Sequence, residues 1–112
     1  MDLQTPDTII QTLEAIRRES AKGVDALHDA EDLLMRAELA YDTAWAKALL
    51  NAKGTVEDKK ALATLATENE KLAADLARIS VNRIKTKLKI LSEQQMSVQT
   101  QARMVELTWR VS

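Results

Sequence analysis

Cysteine and phenylalanine are both absent from the 112 residues, and the chain has one proline, two glycines and one histidine. Without cysteine there can be no disulfide framework, no thiolate nucleophile and no Cys-ligated zinc. His28 as the sole histidine excludes a His pair, and the Glu-x-x-His pattern of helical di-metal proteins does not occur. Gly23 and Gly54 stand alone, so there is no glycine-rich phosphate loop. No run approaches the ~18 apolar residues of a membrane span, and the start, with Asp2 and Asp7, lacks the apolar core of a signal peptide. Sixteen basic against 17 acidic residues leave a net charge of −1, so no global field draws the chain to nucleic acid or an anionic membrane. These absences predict a cytoplasmic protein that is not an enzyme. It would have no cofactor, metal site or small-molecule substrate and no membrane partner.

What is present favours helix. Alanine supplies much of the 46% hydrophobic content, and Ala, Glu, Lys, Leu and Arg with few breakers make the composition of long helices and coiled coils. Thr5 can cap a first helix, Pro6 suits its first position and Asp7 its positive end. From there, steps of four and three residues link Ile9, Leu13, Ile16, Ser20, Gly23, Leu27, Ala30, Leu34, Ala37, Tyr41, Ala44 and Ala48 in one seam. Gly23 admits two readings: a C-cap closing a short first helix, or a small seam residue in a continuous helix with at most a kink. Around Gly54, Lys53 favours a helix end and Thr55 with Asp58 forms a capping box for a second helix. The expected organisation is a single domain over 1–112, with a helix over 6–53, a turn at 52–55 and a helix over 56–110.

In the second helix the larger apolar residues form one seam, Leu62, Leu65, Asn69, Leu72 and Leu76. A second seam runs Val81, Ile84, Leu88, Leu91, Gln95, Val98, Ala102, Val105 and Trp109. The two are out of phase at Ile79–Ser80, which reads as a stutter. Folded about Gly54, residue i would face residue 109 − i, setting the acidic stretch Asp25 to Asp42 beside the basic stretch Arg78 to Lys89. Each exposed pair would contribute only ~0–1 kcal/mol, but together they would select the register. The second helix carries apolar residues on more than one face, and Trp45, Leu49 and Leu50 widen the stripe of the first beyond a two-stranded seam. The predicted fold is therefore all-α, a long antiparallel helical hairpin dimerising into a four-helix bundle. The alternative is a three-helix bundle broken at Gly23.

Few residues carry candidate chemistry. Asp25, Asp29 and Asp32 share a helix face, but with His28 they read as surface charge rather than metal ligands. Arg78, Arg83, Lys85, Lys87 and Lys89 are the candidate nucleic-acid contacts, able to meet phosphates or to pair with the acidic stretch; no aromatic interleaves them for base stacking. Gln94, Gln95, Gln99 and Gln101, with Ser97 and Thr100, form an uncharged polar patch. With Trp109 these glutamines are the candidate partner-binding residues, against the plainer readings of a solvated face and a tryptophan in core or dimer packing. Met35, Met96 and Met104 read as packing filler.

The stretch Tyr41-Asp-Thr-Ala-Trp-Ala-Lys-Ala-Leu-Leu-Asn-Ala-Lys-Gly54-Thr-Val, with Lys60-Ala-Leu-Ala-Thr-Leu-Ala-Thr and Leu72-Ala-Ala-Asp-Leu after it, resembles short helical proteins of bacteriophages and prophages. Those proteins share a tyrosine, spaced alanines, a Gly-Thr/Ser-Val turn and an alanine-rich second helix followed by a basic stretch, here Arg83 to Lys89. The resemblance covers about a third of the chain and excludes the glutamine-rich tail and Trp109. It implies a protein encoded among recombination and replication functions. The expected function is that of a non-enzymatic accessory protein binding DNA or a recombination or replication protein. The alternative is a structural or protein-interaction module, such as a scaffold, adaptor or inhibitor of a host protein, without nucleic-acid binding.

Overall fold

The computed structural model describes residues 5–111, and these form three helices: α1 (Pro6–Asn51), α2 (Val56–Ala66) and α3 (Glu68–Val111). The fold is all-α, as the breaker-poor composition predicts. Thr5 caps α1 as expected, its side-chain oxygen accepting from the Thr8 N–H at 3.2 Å. The Gly54 turn follows the sequence closely. Gly54 has a φ of 120°, which an L side chain rarely adopts. Thr55 accepts from the Asp58 N–H at 3.2 Å while the Asp58 carboxylate accepts from the Thr55 N–H at 3.3 Å, completing the capping box.

One alternative is excluded and one expectation is corrected. α1 runs unbroken through Gly23 and ends at Asn51, so the three-helix alternative broken at Gly23 is excluded. Gly23 keeps a negative φ and does not act as a left-handed cap. The expected helix over 56–110 is interrupted instead at Thr67, with φ −118° and ψ 22°. There the Thr67 N–H turns back to the Thr64 carbonyl at 3.3 Å. The Ala63 carbonyl is served by the Thr67 hydroxyl at 2.8 Å. Back-bonding of this kind bends helices, and Thr67 is buried while doing it.

Packing divides the chain into two units. Leu27–Arg83 holds the later part of α1, the turn, α2 and the start of α3, which together make an antiparallel helical hairpin. Its inner face is built from small residues: Ala63, Thr67, Ala74, Ala77 and Val81 are all at most 6% exposed, and Ala30 is buried on α1. Leu34, Ala37, Tyr41, Ala44 and Ala48 are half-buried in the seam expected for α1, and Trp45 and Leu49 widen it. The Lys71 ammonium lies 5.8 Å from the centre of the Tyr41 ring, a cation–π contact at the edge of this seam.

The other unit joins the stretch ending at Ala26 to that beginning at Ile84. Ile9 and Ile16 are buried, while Leu13, Ser20, Gly23 and, on α3, Ile84, Leu88, Leu91, Gln95, Val98, Ala102 and Val105 are half-buried. Gly23 meets Leu88 so closely that a Cβ there would lie 2.6 Å from Leu88 Cδ2. The register is displaced from a simple fold about Gly54: Gly23 faces Leu88 rather than Thr86, and Tyr41 meets Lys71 rather than Glu68. The first half-buried residue of α2 is Lys59.

Candidate functional site

The inner face of the second arm leaves its larger residues outside. Ala63, Thr67, Ala74 and Ala77 continue in the same seven-residue phase as Val81, Ile84 and Leu88, so the inner seam has no stutter. The expected seam Leu62, Leu65, Asn69, Leu72 and Leu76 is corrected: it lies on the opposite face. Leu62, Leu65, Leu72, Leu76 and Ile79 are between 47% and 64% exposed. The physical reason is the partner helix. α1 presents Leu34, Tyr41 and Trp45 on its inner face between Ala30, Ala37, Ala44 and Ala48, and small residues opposite leave room for those larger side chains where a second row of leucines would not. The apparent stutter at Ile79–Ser80 was the available signal, since only the alanine phase runs unbroken into Val81 and beyond.

This outer face is a second heptad stripe, with steps of three, four, three, four and three from Leu62 to Ile79. It persists on both sides of the Thr67 turn. A contiguous exposed apolar surface of this kind marks an interaction site more than scattered surface leucines do.

The basic residues do not gather into one strip. In the hairpin unit Arg78 bonds to Glu38 at 2.9 Å across the helices and to Asp75 at 3.0 Å along its own helix. The Glu38 hydrogen bond raises the Arg78 pKa above its ordinary value; partial desolvation opposes it and Asp75 reinforces it. Arg78 is thus engaged within the chain. Arg83 is exposed and forms no ion pair among the described residues. In the other unit Lys85, Lys87 and Lys89 are likewise exposed and unpaired among the described residues, and Lys85 and Lys89 make no bridge to Asp25. Spacing puts Lys85 with Lys89 on one flank of α3 and Lys87 on another. The expected neutralisation by the acidic stretch is realised by Arg78 with Glu38. Asp32 pairs instead with Arg36 on its own helix, at 3.2 Å.

Of the glutamines, Gln95 lies half-buried in the seam while Gln94, Gln99 and Gln101 are exposed. Trp109, expected in core or dimer packing, is 64% exposed on the single chain. It lines an open apolar groove of about 450 Å³ with Pro6, Ile9, Ile10, Leu13 and Val105, rimmed by the Glu106–Arg110 ion pair at 2.7 Å. Met35, Met96 and Met104, read as packing filler, are instead exposed. Among the described residues, no group of three or more His, Asp and Glu is placed to hold a metal ion, and no helix is long and apolar enough to cross a membrane.

Fold and surface together define an all-α chain with a small-residue helical hairpin that carries a leucine stripe on its outside. No protein-family model, curated protein or solved structure matches it.

Proposed function

We propose that this chain is a non-enzymatic protein-interaction module that binds through the outer leucine stripe of α2 and α3. The observation that carries this reading is the stripe itself: five large aliphatic side chains at helix-pairing spacing, left outside a hairpin that is already closed by alanines. Fully burying a leucine or isoleucine contributes ~1.5–3 kcal/mol, so covering half-exposed side chains of this number would supply a substantial binding energy. Helix-in-groove and helix-on-helix recognition use this anchor spacing. The test is to replace Leu72 and Leu76 by glutamate and follow helicity and association together. The stripe lies outside the hairpin, so helicity should survive while binding of other protein chains is abolished. Collapse of the helical signal would place the leucines inside and sink the reading.

A second reading has its own observation. Arg83, Lys85, Lys87 and Lys89 are exposed and unpaired among the described residues, which leaves four cations available to phosphates. In that reading the chain is a phage-type accessory protein of recombination or replication that binds DNA, the setting the resemblance implies. Anisotropy titrations with single- and double-stranded oligonucleotides across a salt series decide it. Phosphate contact gives affinity that falls steeply with salt, and flat or absent binding removes it.

A further inference from the structure

We propose that the stripe Leu62, Leu65, Asn69, Leu72, Leu76 and Ile79 pairs with the same stripe on a second copy of this chain, with the two helices antiparallel about a two-fold axis between the Asn69 and Leu72 layers. The inference rests on the interaction reading above and names its partner.

Three features select a second copy in this orientation. The spacing of the stripe reads the same in reverse, so a two-fold axis sets Leu62 against Ile79, Leu65 against Leu76, and Asn69 against Leu72 of the second copy. Such a self-complementary surface is what an isologous interface requires. Charge then selects the direction. One step beyond each end of the stripe, in the same heptad phase, stand Asp58 and Arg83. Both are exposed, and Arg83 has no ion pair among the described residues of its own chain. Antiparallel pairing places Asp58 beside Arg83 of the second copy at both ends. Parallel pairing would place like charge against like at both ends. Asn69, finally, is the one polar residue among the six. A lone asparagine in a leucine seam costs stability and fixes register. Here the two copies of Asn69 flank the axis about one helical turn apart; slipping the pairing by a heptad one way would part them by about 15 Å, and slipping it the other way would set Leu76 against Asp58 and Ile79 against Thr55 of the second copy. Ala66 and Ala73, next to the stripe on one side, offer no bulk against close approach.

The test uses the full chain. Light scattering and sedimentation from 1 to ~200 µM, a range suited to helix-pair affinities, should give about twice the 12.5 kDa chain mass. Leu72→Glu with Leu76→Glu should weaken the dimer about 100-fold or more, as removal of two central anchors does, with an unchanged far-ultraviolet spectrum. The native chain lacks cysteine, so direction can be read by cross-linking. Leu62→Cys mixed with Ile79→Cys should yield the mixed dimer through a short bis-maleimide, and Leu62→Cys alone should not. This arm still decides the matter should the glutamate variant fail to fold. Self-cross-linking of Leu62→Cys without the mixed product overturns the antiparallel arrangement. A dimer untouched by the glutamates places the self-contact elsewhere and overturns the proposed pairing. A chain monomeric throughout overturns self-pairing. The broader interaction reading then stands or falls on whether a protein from native extract binds the wild-type chain and not the glutamate variant.

Discussion

At Gly23 one missing methyl sets how closely the arms meet. Alanine would gain up to ~1 kcal/mol of helix propensity in a continuous helix, but its Cβ would lie 2.6 Å from Leu88 Cδ2. The obstructing atom is the end of a flexible side chain, so the gain and the displacement should nearly cancel and Gly23→Ala should be close to neutral in urea melts. Shortening the obstruction separates the two effects. Gly23→Ala combined with Leu88→Ala should be more stable than the sum of the single changes by ~0.5 kcal/mol or more in a double-mutant cycle. Strict additivity would mean the two side chains do not compete. Thr67 offers a second check. Its hydroxyl takes the place of the backbone N–H that the Ala63 carbonyl lacks, at 2.8 Å and buried. Thr67→Val keeps the shape but removes that donor, and should cost ~1–3 kcal/mol of chemical-denaturation stability, the penalty of an unserved buried acceptor.

The helices and their turn follow from local chemistry. Thr5, Pro6, Gly54, Thr55 and Asp58 act within one turn of themselves, so their roles are legible without knowing the rest of the fold. Gly54→Ala tests this. A Cβ at φ 120° would be strained and would also sit 3.0 Å from Asp58 Cβ, disturbing the capping box. A destabilisation of at least ~1 kcal/mol in thermal melts is expected, and a neutral outcome would mean that the turn relaxes to another conformation. The seam of α1 was equally legible, because its apolar stripe has one dominant phase. The seam of α2 and early α3 was not. Two stripes with the same period run along that helix, one of leucines and one of alanines, and hydrophobicity favours the leucines. Packing favours the alanines, and periodicity has no means of ranking the two. Trp109 illustrates the same limit: it keeps the heptad phase of Val105, yet stands at a groove edge.

For the molecule as a whole, charge is balanced in number but only partly paired in space among the described residues. Lys85 and Lys89 form no ion pair among the described residues, so replacing both by glutamate should leave the melting temperature essentially unchanged. Exposed surface substitutions away from specific contacts usually stay within ~0.5 kcal/mol. The same variant discriminates the nucleic-acid reading. If these lysines meet phosphates, oligonucleotide affinity should fall and its salt slope should shallow by about one for each phosphate no longer neutralised. A clear drop in melting temperature would show that these lysines sustain the fold through the acidic stretch, contrary to the geometry described. Arg78 is the contrasting case, since it joins Glu38 and Asp75.

The sequence by itself determined that the chain is helical, where it turns, how its helices are capped and which face of α1 is inward, because each depends on neighbours within a turn or on a single dominant stripe. Only the tertiary structure decided which stripe of the second arm turns inward, where that arm bends, and which cations keep their charge unpaired. Those outcomes depend on what α1 presents across the interface. With Leu34, Tyr41 and Trp45 among its alanines, that face is met by the small residues of the second arm, which leaves the leucines, and the surface they define, on the outside.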